Sequence, residues 1–173
     1  MSTSLTSINV DAGDATGTYD VAFAVFTDST FTTPITGAFS YEVPEPMHIA
    51  ATLDTSGSRL KTQLKRCWAT PSSDPAHATQ YEFIVNSCGT DKEVNEWESL
   101  VVHSNGQAAQ SSFSLDSFTF NGESESIYLH CEVLNYLMIN LILIVNFRFT
   151  FVIPMQRTVP PHVTVRDVDV LLT

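Results

Sequence analysis

An all-β sandwich is the fold class this sequence predicts, on three observations. Apolar side chains alternate: Tyr19, Val21, Phe23 and Val25 share one face of an extended segment, with Thr18, Asp20, Ala22 and Ala24 on the other. Strand-ending and turn-forming residues separate such runs, at Pro44, Pro46, Gly57, Pro71, Pro75, Gly89, Gly106 and Gly122. Two phrases 64 positions apart, Cys67-Trp68-Ala69-Thr70-Pro71 and Tyr128-Leu129-His130-Cys131-Glu132-Val133, set a cysteine beside large apolar side chains and suggest a cross-link through a sandwich core. Seven to nine short strands at this spacing read as immunoglobulin-like architecture.

In chain order, residues 1–18 read as a polar linker. Met1 to Asp14 has neither a basic start nor an apolar run of signal-peptide length. A cysteine-bridged domain without an export signal is a contradiction, and its simplest resolution is that part of a longer protein precedes this segment; a cytosolic chain with three free thiols is the alternative. The sandwich is expected over 19–133. After the first strand, Thr27-Asp28-Ser29-Thr30 reads as a turn, and further strands are expected at Ala38 to Val43, Met47 to Leu53, Leu60 to Trp68 and Tyr81 to Val85. Ser99 to His103, Gln110 to Leu115, Phe118 to Phe120 and Ile127 to Val133 complete the set, and Leu60 to Arg66 also suits a turn of helix. Phe113, Leu115, Phe118 and Phe120 alternate with a slip at Asp116-Ser117, where a bulge or tight turn would keep all four in the core.

The chain changes character near position 133. Residues 1–133 hold 17 acidic and 5 basic groups, whereas 134–173 hold 2 and 3. Fifteen of the twenty residues from Leu134 to Ile153 are apolar, enough in length to cross a bilayer. Three readings of 134–153 stay open: a membrane anchor, weakened by Asn135, Asn140, Asn146 and Arg148; a buried strand pair, favoured by alternation at Phe147, Phe149 and Phe151; and a tail foreign to the module. Residues 154–173 read as a linker with one short edge strand, without a basic cleavage site, since Arg157 and Arg166 stand alone.

Function classes narrow from composition. A net charge of −11 repels phosphate backbones and anionic membrane surfaces, so nucleic acid is not an expected partner. No Gly-x-Ser-x-Gly elbow or phosphate-cradling loop occurs, and His48, His77, His103, His130 and His162 are scattered, so no catalytic residue and no cofactor are expected. Glu123 and Glu125 read as a solvated strand edge rather than an acid and base couple. Cys67, Cys88, His130 and Cys131 make a Cys3His set that zinc would accept, but no Cys-x-x-Cys knuckle occurs and strand neighbours point to opposite faces. Asp11, Asp14 and Asp20 lack calcium-loop spacing, and Asn86-Ser87-Cys88 is only a rare variant of a glycan sequon.

Six phrases in order carry a family resemblance. They are Val25-Phe26-Thr27-Asp28-Ser29-Thr30-Phe31, Leu53-Asp54-Thr55, Cys67-Trp68-Ala69-Thr70-Pro71-Ser72, Phe83-Ile84-Val85-Asn86-Ser87-Cys88, Phe113-Ser114-Leu115-Asp116-Ser117-Phe118-Thr119-Phe120 and Tyr128-Leu129-His130-Cys131-Glu132-Val133. From Tyr19 to Val133 the chain resembles the C-terminal half of the zona pellucida (ZP) module. The resemblance implies a disulfide between Cys67 and Cys131, with Trp68, Tyr128 and His130 packed around it, and leaves Cys88 an unpaired thiol, because its family partner lies downstream and no cysteine follows Cys131. It also implies that residues 1–18 follow a missing N-terminal half and that the sandwich is incomplete at its C-terminal end. The implied function is a non-catalytic, extracellular or cell-surface module of filament or matrix assembly, whose partners are other ZP modules. The alternative is a protein-recognition domain, touching a membrane only if 134–153 acts as an anchor.

Overall fold

The computed structural model describes residues 3–12, 15–54, 60–90, 100–120, 126–137 and 145–156. They form eleven strands: β1 (Thr3–Ala12), β2 (Ala15–Phe26), β3 (Tyr41–Glu42), β4 (Pro46–Asp54), β5 (Leu60–Thr70), β6 (Tyr81–Val85), β7 (Cys88–Gly89), β8 (Leu100–Ser104), β9 (Gln110–Asp116), β10 (Ser126–Leu137) and β11 (Val145–Gln156). One sheet has the order β1-β2-β4-β9-β8 and the other β3-β11-β10-β5-β6-β7. All pairings are antiparallel except β3 with β11.

Alternation builds the core between the sheets. Val21, Phe23 and Val25 of β2 face Ile49 and Leu53 of β4 and Phe113 and Leu115 of β9, all buried. The second sheet answers with Leu64, Cys67, Phe83, Leu129, Cys131 and Val133. Two irregularities let the apolar pattern depart from period two. Opposite β10, the register jumps from Glu132↔Arg66 to Val133↔Leu64, so Lys65 is extra and the inward positions change from Leu60, Thr62 and Leu64 to Cys67 and Ala69. Opposite β5, the register jumps from Cys67↔Ile84 to Trp68↔Glu82, and the consecutive residues Phe83 and Ile84 are both buried. The helical alternative over Leu60 to Arg66 is therefore replaced by a bulged strand.

Short connections explain the strand ends. Asn86 and Ser87 take φ of 51° and 66°, the pair of positive values a type I′ hairpin needs between β6 and β7. Asn105 ties that hairpin to β5: its Oδ1 accepts from Leu64 N at 2.6 Å, and its Nδ2 donates to Leu64 O at 3.0 Å and Ser87 O at 2.9 Å. Gly106 turns at φ +77, and a Cβ there would lie 3.1 Å from the Tyr136 hydroxyl, which donates to the Gly106 carbonyl. Ser111 closes the knot, donating to Thr62 O at 2.5 Å and accepting from Gly106 N at 3.1 Å.

Several expectations change. Residues 3–12 and 15–18 are strand rather than linker: β1 pairs with β2 from Thr3↔Ala24 to Ala12↔Ala15 and adds an edge strand. Residues 134–137 and 145–156 continue the sheet, because β10 runs to Leu137 and β11 returns along it from Asn135↔Val145 to Ser126↔Pro154. Of the three readings of 134–153, the geometry is that of the strand pair, and no helix among the described residues is long and apolar enough to cross a membrane. The second sheet thus continues past Val133. Phe118 to Phe120 is not a strand: Ser117 donates to Glu42 O at 2.9 Å and accepts from Glu45 N at 2.8 Å, which turns the chain out of β9. Phe118 remains in the core and Phe120 packs against it, with ring centroids 5.4 Å apart. Residues 157–173 lie outside the described set.

Candidate functional site

The candidate site is the β5-β10-β11 ladder, because it holds both cysteine phrases and the strand that was unassigned from sequence. Cys67 and Cys131 are register partners, with Cα atoms 4.2 Å apart and sulfurs bonded at 2.06 Å. The bond lies within one sheet, between neighbouring strands, and not across the sandwich as the sequence suggested. Its inner-face neighbours are Ala69, Leu129 and Val133. With two thiols consumed and His130 on the other face of the sheet, the Cys3His zinc alternative cannot assemble.

Trp68 and His130 do not pack around the disulfide. Strand neighbours project to opposite faces, so the pair stacks on the outer side of the ladder, ring centroids 5.3 Å apart and interplanar angle 28°. Tyr128 shares that outer side, opposite Thr70 and Val152. The residues between β5 and β6 cover this face, and Pro75 O accepts from Trp68 Nε1 at 3.0 Å. Thr70 donates to Ser72 O at 2.6 Å, so its oxygen is free to accept from His130 Nε2 at 2.7 Å. His130 Nδ1 lies within hydrogen-bond distance of the Thr150 hydroxyl, at 3.0 Å. This pattern makes the imidazole a joint between β5, β10 and β11. Arg66 lies 4.2 Å over the Trp68 ring and pairs with Glu82 at 2.5 Å.

Cys88 is exposed in β7, the edge strand farthest from β11 in its sheet. Glu123 and Glu125 lie outside the described residues, as do Asp14 and His162 and the side chain of Asp11. The histidines are less scattered than their spacing implies, since His48 and His103 both reach Ser114. No sequence signal gave this, because the β8–β9 register shifts between Val102 and Ser104 and decides which side chain reaches Ser114. Burial and the neighbouring His103 hold His48 below the usual histidine range, with Asp28 opposing.

The β11 edge is the least paired part of the site among the described residues. On its side away from β10 it is paired only at Met155↔Tyr41 and Gln156↔Glu42. Among the described residues, the backbone from Val145 to Pro154 therefore has no strand partner on that side.

Two sheets in this order, braced by a disulfide inside one of them, define an immunoglobulin-like β module. The chain belongs to the zona pellucida family: the model of the ZP-C domain matches residues 15–136. It is similar to the human "Pancreatic secretory granule membrane major glycoprotein GP2", with 34% identity over 131 residues, 75% of this chain and 24% of that protein. Rat uromodulin is 31% identical over 131 residues, 75% of this chain and 20% of that protein. The chain thus spans about a quarter of the length of the curated relatives it matches.

Proposed function

We propose that this chain is a non-catalytic structural module of an extracellular or cell-surface protein, and that it joins other ZP modules in filaments or matrices through the β10 edge. The observation carrying this reading is the placement of β11. A twelve-residue strand fills the position beside β10, and among the described residues its far edge is paired with another strand only at two positions. A strand so placed acts as a removable cover or as a template, because unpaired N–H and C=O groups accept a further strand. The in-sheet disulfide supports this use by fixing β5 to β10, so the β10 edge keeps its shape while β11 exchanges.

The test is to insert a protease site within residues 138–144, cut the purified chain between β10 and β11, and add a fluorescent peptide of residues 145–156. Exchange of the peptide into the cut protein, with association of copies seen by electron microscopy, is the expected result. A cut protein that neither takes up peptide nor associates refutes the reading.

A further inference from the structure

The outer face of the first sheet carries a ring cluster that strand pairing does not require. Ser114 Oγ lies 2.7 Å from His48 Nδ1 and 2.8 Å from His103 Nε2, so one hydroxyl joins β4, β9 and β8. Phe31, from the connection between β2 and β3, meets both imidazoles edge-on, with centroids 6.1 Å from His48 and 5.1 Å from His103. Beneath it, Ala24, Phe26 and Ala50 complete a small apolar cluster separate from the main core. Phe31 holds φ of 55°, a left-handed value that a bulky residue keeps only when its surroundings enforce it. The segment has few backbone bonds: Thr27 N to Thr33 O at 3.1 Å, Phe31 N to Asp28 O at 3.2 Å and Ile35 N to Val25 O at 2.8 Å.

We propose that His48, Ser114 and His103 form a pH-sensitive latch, which holds the 27–35 segment over the sheet at neutral pH and releases it when both imidazoles are protonated. A hydroxyl has one hydrogen and two lone pairs. With both rings neutral, one imidazole donates to Ser114 and the other accepts from it, and every atom is satisfied. A first proton can go to the far nitrogen of the donating ring without disturbing this arrangement. A second proton converts the accepting ring into a donor. Ser114 Oγ then accepts from both N–H groups with its two lone pairs, but its own hydrogen loses its imidazole acceptor, and two cations lie with their bonded nitrogens at most 5.5 Å apart. Repulsion between the two cations drives the rings apart, and Phe31 rests on both.

Among the described residues, the charged groups facing the latch are few. The segment itself presents Asp28, whose carboxyl is held below the usual range first by the Thr30 hydroxyl and then by the Thr30 amide. It stays ionised while the histidines titrate, so it lowers the release pH without supplying the switch. β9 presents Asp116, two positions from Ser114, and β8 presents only His103 beside Val101. At the far end of the sheet, β2 and β4 bring Asp20 opposite Asp54.

Amide hydrogen exchange on the full chain tests the latch, read at Thr27, Phe31 and Ile35 at about pH 7.5 and about pH 5 after correction for intrinsic rates. Protection at these three amides is expected to fall roughly tenfold or more at the lower pH, while Leu53 and Thr62 in the core keep theirs. In a His48→Gln, His103→Gln double variant the pH dependence is expected to vanish, and in Asp28→Asn the fall should move to higher pH. Unchanged protection in the parent, an equal fall in the double variant, or a fall shared by the core amides overturns the proposal. Should the double variant not fold, ring titration of the parent by NMR decides. Loop signals that follow the second imidazole step support the latch, and signals that follow only the first overturn it.

Discussion

Replacing both Cys67 and Cys131 by alanine, in a Cys88→Ser background, isolates the contribution of the in-sheet bond. The bond closes a sequence separation of 64 residues, and the loss of unfolded-state entropy on closing such a loop is worth roughly 4 kcal/mol. Both sulfurs belong to side chains with no exposed surface, so removing them adds on the order of 1 kcal/mol each from lost burial. For a chain of this size each kcal/mol moves the melting temperature by about 2–4 °C, so a fall of roughly 10–20 °C is expected. The native ladder should survive, because ten register pairs hold β5 to β10 apart from any covalent bond. The assay is urea unfolding followed by circular dichroism at one protein concentration. It should give a lower midpoint and a larger m value, since the uncrosslinked unfolded chain exposes more surface. A double variant within about 1 kcal/mol of its parent, with m unchanged, refutes the reasoning.

Four further outcomes follow from the same geometry. Trp68→Ala should destabilise by about 3–5 kcal/mol in chemical denaturation, because it empties a buried site, leaves Pro75 O with Gln80 Nε2 in place of two donors and unstacks His130. Ser111→Ala should cost about 0.5–1.5 kcal/mol by the same assay, because Thr62 O and Gly106 N lose a shared partner and keep only the 3.0 Å bond between themselves. Burial, with Glu45 adding to it, raises Tyr41 to about 12, so its stabilising effect is full below the ordinary tyrosine value of 10.0 and is lost as pH rises through 12; Tyr41→Phe should flatten the fall in melting temperature across that window. His48 is shifted the other way, so stability is full above its ordinary value of 6.5 and declines as pH falls through its lowered folded value; His48→Gln should weaken that decline in melting scans.

The strands most legible in the sequence were those buried on one face in strict alternation. Val21, Phe23 and Val25 in β2 and Met47, Ile49 and Leu53 in β4 fall where period two puts them. β5 was ambiguous for a physical reason: the bulge at Lys65 changes which alternate positions face inward, so Leu60, Leu64 and Cys67 lie at spacings of four and three, which is also the period of a helix. The bulge opposite Trp68 likewise determines how Phe83 and Ile84 meet β5, and no residue signals it. β1 was missed because a polar count hid its content of Thr3, Thr6, Ile8 and Val10, residues that suit an edge strand. Recognising the two cysteine phrases did not reveal which face their neighbours occupy. Parity in a paired ladder places Trp68 and His130 opposite the disulfide, and parity is knowable only once the register is. The Ser114 bridge was out of reach for the same reason.

β11 fills the position beside β10 within the same chain. Tyr128 and Val152 are register partners across that pair. The direct measurement is cross-linking of a Tyr128→Cys, Val152→Cys variant in the Cys88→Ser background, read by non-reducing mass spectrometry of peptides and by the mass of the intact species. The account predicts a monomer with a new bond between positions 128 and 152 beside the Cys67–Cys131 bond. Two free introduced thiols, or a bond that joins two chains, would contradict it.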